Sequence, residues 1–121
     1  MCRVTTAFAL IVAAASLCAA APAGAESIDS QCCGPLSYHI QSDGTLVGVY
    51  PKQKGEIAGD MAADGSTMGV WIQPRSDHPC AQARGGTYAW GRFVFRNVGR
   101  SNMAGEWGYC DDVPNHPWGF N

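Results

Sequence analysis

Two short clusters hold the side chains best suited to chemistry. "GEWGYCDDVPNHP" (105–117) places Cys110, Asp111, Asp112 and His116 close together, and "SDHPC" (76–80) holds Asp77, His78 and Cys80. Cys80, Cys110, His78 and His116 form a nominal Cys₂His₂ set. Zinc sites of that type favour ligand pairs separated by two to four residues, whereas only Pro79 separates His78 from Cys80. Cys110 with His116 has the composition of a nucleophile and base, but adjacency in sequence does not create catalytic geometry. Glu56, Asp60 and Glu106 fall at outward strand positions, where solvated charge is the ordinary role, rather than as a carboxylate pair flanking a cleft. "DMAADGS" (60–66) lacks the dense acidic pattern of a calcium loop and reads as a β-turn. The sequence therefore predicts no catalytic residues, no metal and no cofactor, and leans away from an enzyme.

The cysteines are better explained by oxidation. Residues 1–25 have the form of a cleaved signal peptide: Arg3, the apolar run "AFALIVAAASLCAAA" (7–21), and the small-residue site "AGA" (23–25). Residues 26–121 then form a single domain, secreted or periplasmic, small enough for covalent ties to matter. Cys2 and Cys18 leave with the leader; Cys32, Cys33, Cys80 and Cys110 remain. Ten acidic residues outnumber the basic ones, and there is no basic run, so nucleic acid is not an expected partner. No segment reads as an amphipathic membrane helix, so no membrane insertion is expected after cleavage.

The elements that must position these residues are short strands. A phrase of apolar, any, Gly, any, large apolar recurs as "LVGVY" (46–50), "IAGDM" (57–61) and "MAGEW" (103–107), and contracts to "MGVW" (68–71). Apolar residues at i, i+2 and i+4 share one face of a strand. The middle glycine suits a site where a ring or another backbone packs close, and Trp71 and Trp107 are the candidate rings. Turn signals at "SDG" (42–44), "PKQKG" (51–55), "ADGS" (63–66) and "GRSN" (99–102) divide the chain. Strands are expected near 36–41, 45–50, 55–61, 66–73, 88–97 and 102–109. The fold class is all-β: an antiparallel meander of six to eight short strands, a small barrel or strongly twisted sheet, stapled by disulfides. Expected inward residues are Leu36, Tyr38, Ile40, Leu46, Tyr50, Ile57, Met61, Trp71, Phe93, Phe95, Met103 and Trp107. Ser37, His39, Glu56, Asp60, Arg92, Arg96 and Glu106 are expected outside.

In a meander, strands 66–73 and 102–109 run the same way with one strand between them. Cys80 and Cys110 then emerge at one end of the sheet, and the insert 74–87 lets them meet. Cys80–Cys110 is the expected pair. Cys32 and Cys33 in "QCCGP" (31–35) are left to a vicinal disulfide, free thiols or intermolecular bridges; alternatively each ties to one of the distant cysteines.

"QSDGTLVGVY", "GEIAGDM", "MGVWIQ", "WGRFVF" and "MAGEWGYCD" together resemble a Gly/Trp-punctuated β-repeat domain of exported bacterial proteins, with a looser likeness to MORN hairpin repeats. The resemblance covers 41–110. It implies the fold and export and supplies no activity. The chain departs from the pattern at Met103 and in the shortened "MGVW".

Three roles follow. The first is a non-enzymatic binding module for a glycan, small ligand or protein, including inhibitor-like action. The second is a structural or envelope-interaction protein without a pocket, and the third a small hydrolase. Tyr88, Trp90 and Trp118, at loop or strand-edge positions, are the ligand-binding candidates; for Trp118 the competing role is to plug one end of the barrel.

Overall fold

The structure, a computed structural model, describes residues 25–121, so the expected leader lies, but for its last residue, outside them. Eight strands follow in order: β1 (Glu26–Ile28), β2 (Leu36–Ile40), β3 (Thr45–Tyr50), β4 (Gly55–Met61), β5 (Thr67–Ile72), β6 (Trp90–Arg96), β7 (Ala104–Tyr109) and β8 (His116–Pro117). They form one sheet in chain order, with every neighbouring pair antiparallel. This meander curls into a half-barrel. The six expected strands are β2 to β7. The outer strands β1 and β8 are too short to carry a periodic signal, and β8 contains a proline.

The recurring phrase has a direct packing cause. Tyr50 lies opposite Gly55, Trp71 opposite Gly91, and Phe95 opposite Gly105. In each pair the ring occupies the volume a Cβ would need. At Gly91 that atom would sit 2.6 Å from Trp71 Cε2, and at Gly105 it would sit 2.6 Å from Phe95 Cδ1. Tyr50 and Trp71, which end two of the phrases, thus each cover a glycine of the next strand, and Phe95 covers Gly105, the middle glycine of "MAGEW". Trp71 packs on a glycine, though on Gly91 rather than the middle glycine of a phrase, whereas among the described residues no glycine lies in such contact with Trp107.

The two ends of the half-barrel differ. At one end, the β2–β3 and β4–β5 connections are tight turns built alike. Asp43 Oδ1 accepts from Thr45 N at 2.9 Å, and Asp64 Oδ1 accepts from Ser66 N at 2.9 Å. Gly44 and Gly65 follow with φ of 90° and 88°, which L side chains rarely adopt. The opposite end carries the longer connections 29–35, 73–89 and 110–115, together with the 3-10 turn Pro51–Gln53 between β3 and β4. Both disulfides lie there. Cys80–Cys110 ties the 73–89 loop to the end of β7, with Cα atoms 5.6 Å apart, and Cys32 bonds Cys33 in the 29–35 connection. No cysteine is free among the described residues.

The sheet's outer segments are drawn together beyond β1 and β8. Gln31 N donates to Gly119 O at 2.9 Å, Asn121 N donates to Asp29 O at 3.1 Å, and Ser30 bridges Phe120.

The core lines the concave face: Cys33, Leu36, Tyr38, Leu46, Tyr50, Ile57, Trp71, Phe93, Phe95, Met103 and Trp118. Three expected inward residues depart from it. Ile40 is exposed and Met61 partly so, because each ends its strand beside a tight turn, beyond the packed interior. Trp107 is only half-buried at the margin of the core, because Trp118 already fills the interior. Trp118 is 1% exposed and meets Phe95, Tyr50 and Phe93 edge-on at centroid distances of 5.0, 5.3 and 6.3 Å.

Candidate functional site: an aromatic cavity with a basic rim

The loop-bearing end holds an open cavity of about 600 Å³. Its aromatic wall comes from the ends of three parallel-running strands: Tyr50 from β3, Trp71 from β5, and Trp107 with Tyr109 from β7. Trp118 and the Cys32–Cys33 bridge also line it. Because these rings sit at the last inward positions of their strands, the curl of the sheet brings them together.

The wall is held by specific contacts. Trp71 Nε1 donates to Gly108 O at 3.0 Å. Trp71 meets Trp107 edge-on at 6.0 Å and Tyr109 at 6.1 Å. His78 packs on Tyr109 at 4.3 Å, and His116 stacks on Trp107 at 4.4 Å. Trp107 Nε1 and Trp118 Nε1 are buried with no hydrogen-bond partner among the described residues. Both rings join edge-on aromatic pairs.

Polar groups complete the lining: Gln53, Gln73, Ser76 and Asp77, with Lys52, Lys54 and Arg75. The Tyr50 hydroxyl donates to Gln73 Oε1 at 2.9 Å, and Gln73 Nε2 donates to Arg75 O at 3.1 Å. Burial, with a smaller contribution from the Glu56 charge, pushes the Tyr50 phenol well above its ordinary pKa, so it remains a donor at physiological pH. Lys54 adopts the left-handed conformation, φ 56°, and its N–H caps the 3-10 turn on Pro51 O. The Lys52 stem lies against Gly34, beside the vicinal bridge.

Charge is unevenly distributed. Lys52 and Lys54 are the only lysines of the chain, and both lie on this cavity. With Arg75 they face a single lining carboxylate, Asp77. Among the described residues the one salt bridge is Arg96–Glu106, on the outer face, so the three cavity cations are without an ion-pair partner there. The cavity rim is thus basic in an acidic chain, although Asp111 and Asp112 lie in the 110–115 connection at the same end.

The residues expected to bind ligand do not cluster. Tyr88 is 55% exposed and does not line the cavity. Trp90 is buried as the anchor of the 73–89 loop: its Nε1 donates to Gln82 O at 2.8 Å, and Arg84 covers its ring at 4.4 Å. It has no face left for a ligand. Trp118 reaches the cavity only as part of its buried floor, in the plugging role.

The other candidate clusters are also located. Cys80 and Cys110 are consumed in their bridge, so neither supplies a thiolate. Glu56 and Asp60 are exposed on the outer face, and Glu106 is held by Arg96. Among the described residues no three His, Cys, Asp or Glu side chains converge in a metal-ligating group.

No family model, curated protein or solved structure matches the chain.

Proposed function

We propose that the protein is an exported, non-enzymatic binding module that takes a small ligand in the aromatic cavity. The observation that carries this reading is the cavity itself. Its volume lies within the range of small-ligand sites, about 300–1,000 Å³, its rings are fixed by the sheet, and Gln73 is fixed between the Tyr50 hydroxyl and the Arg75 carbonyl. A pre-formed site avoids the ordering cost that weakens binding to mobile loops. Export accords with the leader-like residues 1–25 and with two disulfides, which persist in oxidising compartments. On this reading the strands of the Gly/Trp repeat supply the rings of the site, and the loops supply its polar and basic groups.

Thermal-shift screening of the oxidised protein against soluble neutral and acidic oligosaccharides tests the proposal. A ligand that binds only the folded state raises Tm. The expected result is a Tm increase that Tyr109→Ala removes. A panel that leaves Tm unmoved, or stabilisation that survives both Tyr109→Ala and Trp107→Ala, would overturn the reading.

A further inference from the structure

We infer that the ligand is an acidic carbohydrate, held with a sugar ring against the half-buried Trp107 and Tyr109, the only wall rings not fully buried, and its anionic group among Lys52, Lys54 and Arg75. This rests on the cavity being the binding site.

The lining selects among ligand chemistries by elimination. A wholly apolar ligand would desolvate Gln53, Gln73, Ser76 and Asp77 without returning hydrogen bonds. An inorganic anion would leave most of the roughly 600 Å³ and the ring surfaces unused. A neutral sugar would use the rings and amides but leave three cations without a counter-charge. An acidic sugar matches all of these: an apolar ring face for the aromatics, hydroxyls for the amides, and an anion for the rim. Peptide capture by strand addition is disfavoured, because the outer segments 29–31 and 119–121 are already bonded to each other.

The rim is also positioned. The Tyr50–Gln73 relay holds the backbone carbonyl of Arg75, and the Lys52 stem lies against Gly34. The cations are therefore presented to the cavity from two connections on the same end, the 51–54 turn and the 73–89 loop. Side chains at the mouth of a low-dielectric, ring-walled cleft focus their field into it.

Isothermal calorimetry on the oxidised protein decides the matter, with four probes: a uronic acid trisaccharide, a sulfated disaccharide, neutral maltotriose and a glutamate tripeptide. The acidic sugars are expected to bind about tenfold or more tightly than maltotriose, and to weaken as NaCl rises from about 50 to about 500 mM. Preference between the uronate and sulfate probes identifies which anion the rim accepts. The combined variant Lys52→Gln, Lys54→Gln, Arg75→Gln should lose that advantage with Tm unchanged, since all three side chains are exposed. Equal affinity for maltotriose, or salt-independent binding, would overturn the inference while leaving the cavity reading intact. Binding of the tripeptide alone would overturn it in favour of a peptide partner. Binding of an acidic sugar that survives both the triple variant and Tyr109→Ala would overturn the inference and the cavity reading together.

Discussion

The Tyr50 hydroxyl donates to Gln73 Oε1 at 2.9 Å, joining the end of β3 to the exit of β5 across the cavity. The contact links the sheet to the loop that carries Arg75, because Gln73 in turn donates to Arg75 O. Tyr50→Phe keeps the ring over Gly55 and removes only the donor. It should cost about 0.5–1.5 kcal/mol in urea denaturation and weaken ligand binding through a loosened 73–77 segment. Unchanged stability and unchanged affinity would show that the bond does not order the site.

Trp118 and Trp107 should separate sharply. Trp118→Ala empties the centre of the core and is expected to cost about 3–5 kcal/mol. Trp107→Ala removes a half-buried wall residue and should cost less in stability while impairing ligand binding. Equal losses from the two variants, read by chemical denaturation, would contradict the burial described above.

Gly91→Ala places a methyl group against the Trp71 ring and Gly108 O. Overpacking of this kind costs about 1–3 kcal/mol. Gly48→Ala, whose Cβ would meet Ser37 O and Tyr38 Cβ, should behave similarly, whereas Ala63→Gly in the exposed turn should shift Tm little. Thermal melts of the three variants provide the comparison.

The bridges differ in what they constrain. Cys80–Cys110 spans a sequence separation of 30, and its replacement by the paired serines should cost about 2–4 kcal/mol. Cys32–Cys33 closes almost no chain and should contribute far less to global stability. Non-reducing peptide mapping should find Cys32 and Cys33 in one peptide, lighter by two hydrogens than its reduced form. A peptide linking either residue to Cys80 or Cys110 would refute the pairing.

On the outer face, Arg96 donates to both Glu106 oxygens at 2.7 Å. These hydrogen bonds hold the Glu106 carboxyl below its ordinary pKa. A depressed carboxylate stabilises the fold above its unfolded value, and that contribution is lost as pH falls through the folded value. The pair is exposed, so Glu106→Gln should cost at most about 1 kcal/mol at neutral pH. The difference from the native chain should vanish well below about pH 4. A gap that persists in acid would rule out ionisation as its source.

The strands were legible in the sequence because β2 to β4 alternate cleanly, the Gly-centred phrase recurs in β3, β4, β5 and β7, and the β2–β3 and β4–β5 connections are Asp-Gly turns whose mechanism is local. Cys80–Cys110 was legible because strand direction follows from a meander. The burial of Trp90 and Trp118 was not. Whether a loop residue is covered depends on which surface its loop folds over, a long-range outcome with no periodic signature. The rim was overlooked for a related reason. "PKQKG" reads locally as a turn, and the signal available was global: an acidic chain that keeps both of its lysines in one turn.

The seam between 29–31 and 119–121 leaves the two ends of the described chain side by side. A short linker between them and new termini opened at the 62–66 turn would give a circularly permuted domain with all three cavity-lining connections uncut. The same adjacency makes the domain insertable: spliced into a surface loop of a host protein, it would present the cavity without stretching either junction.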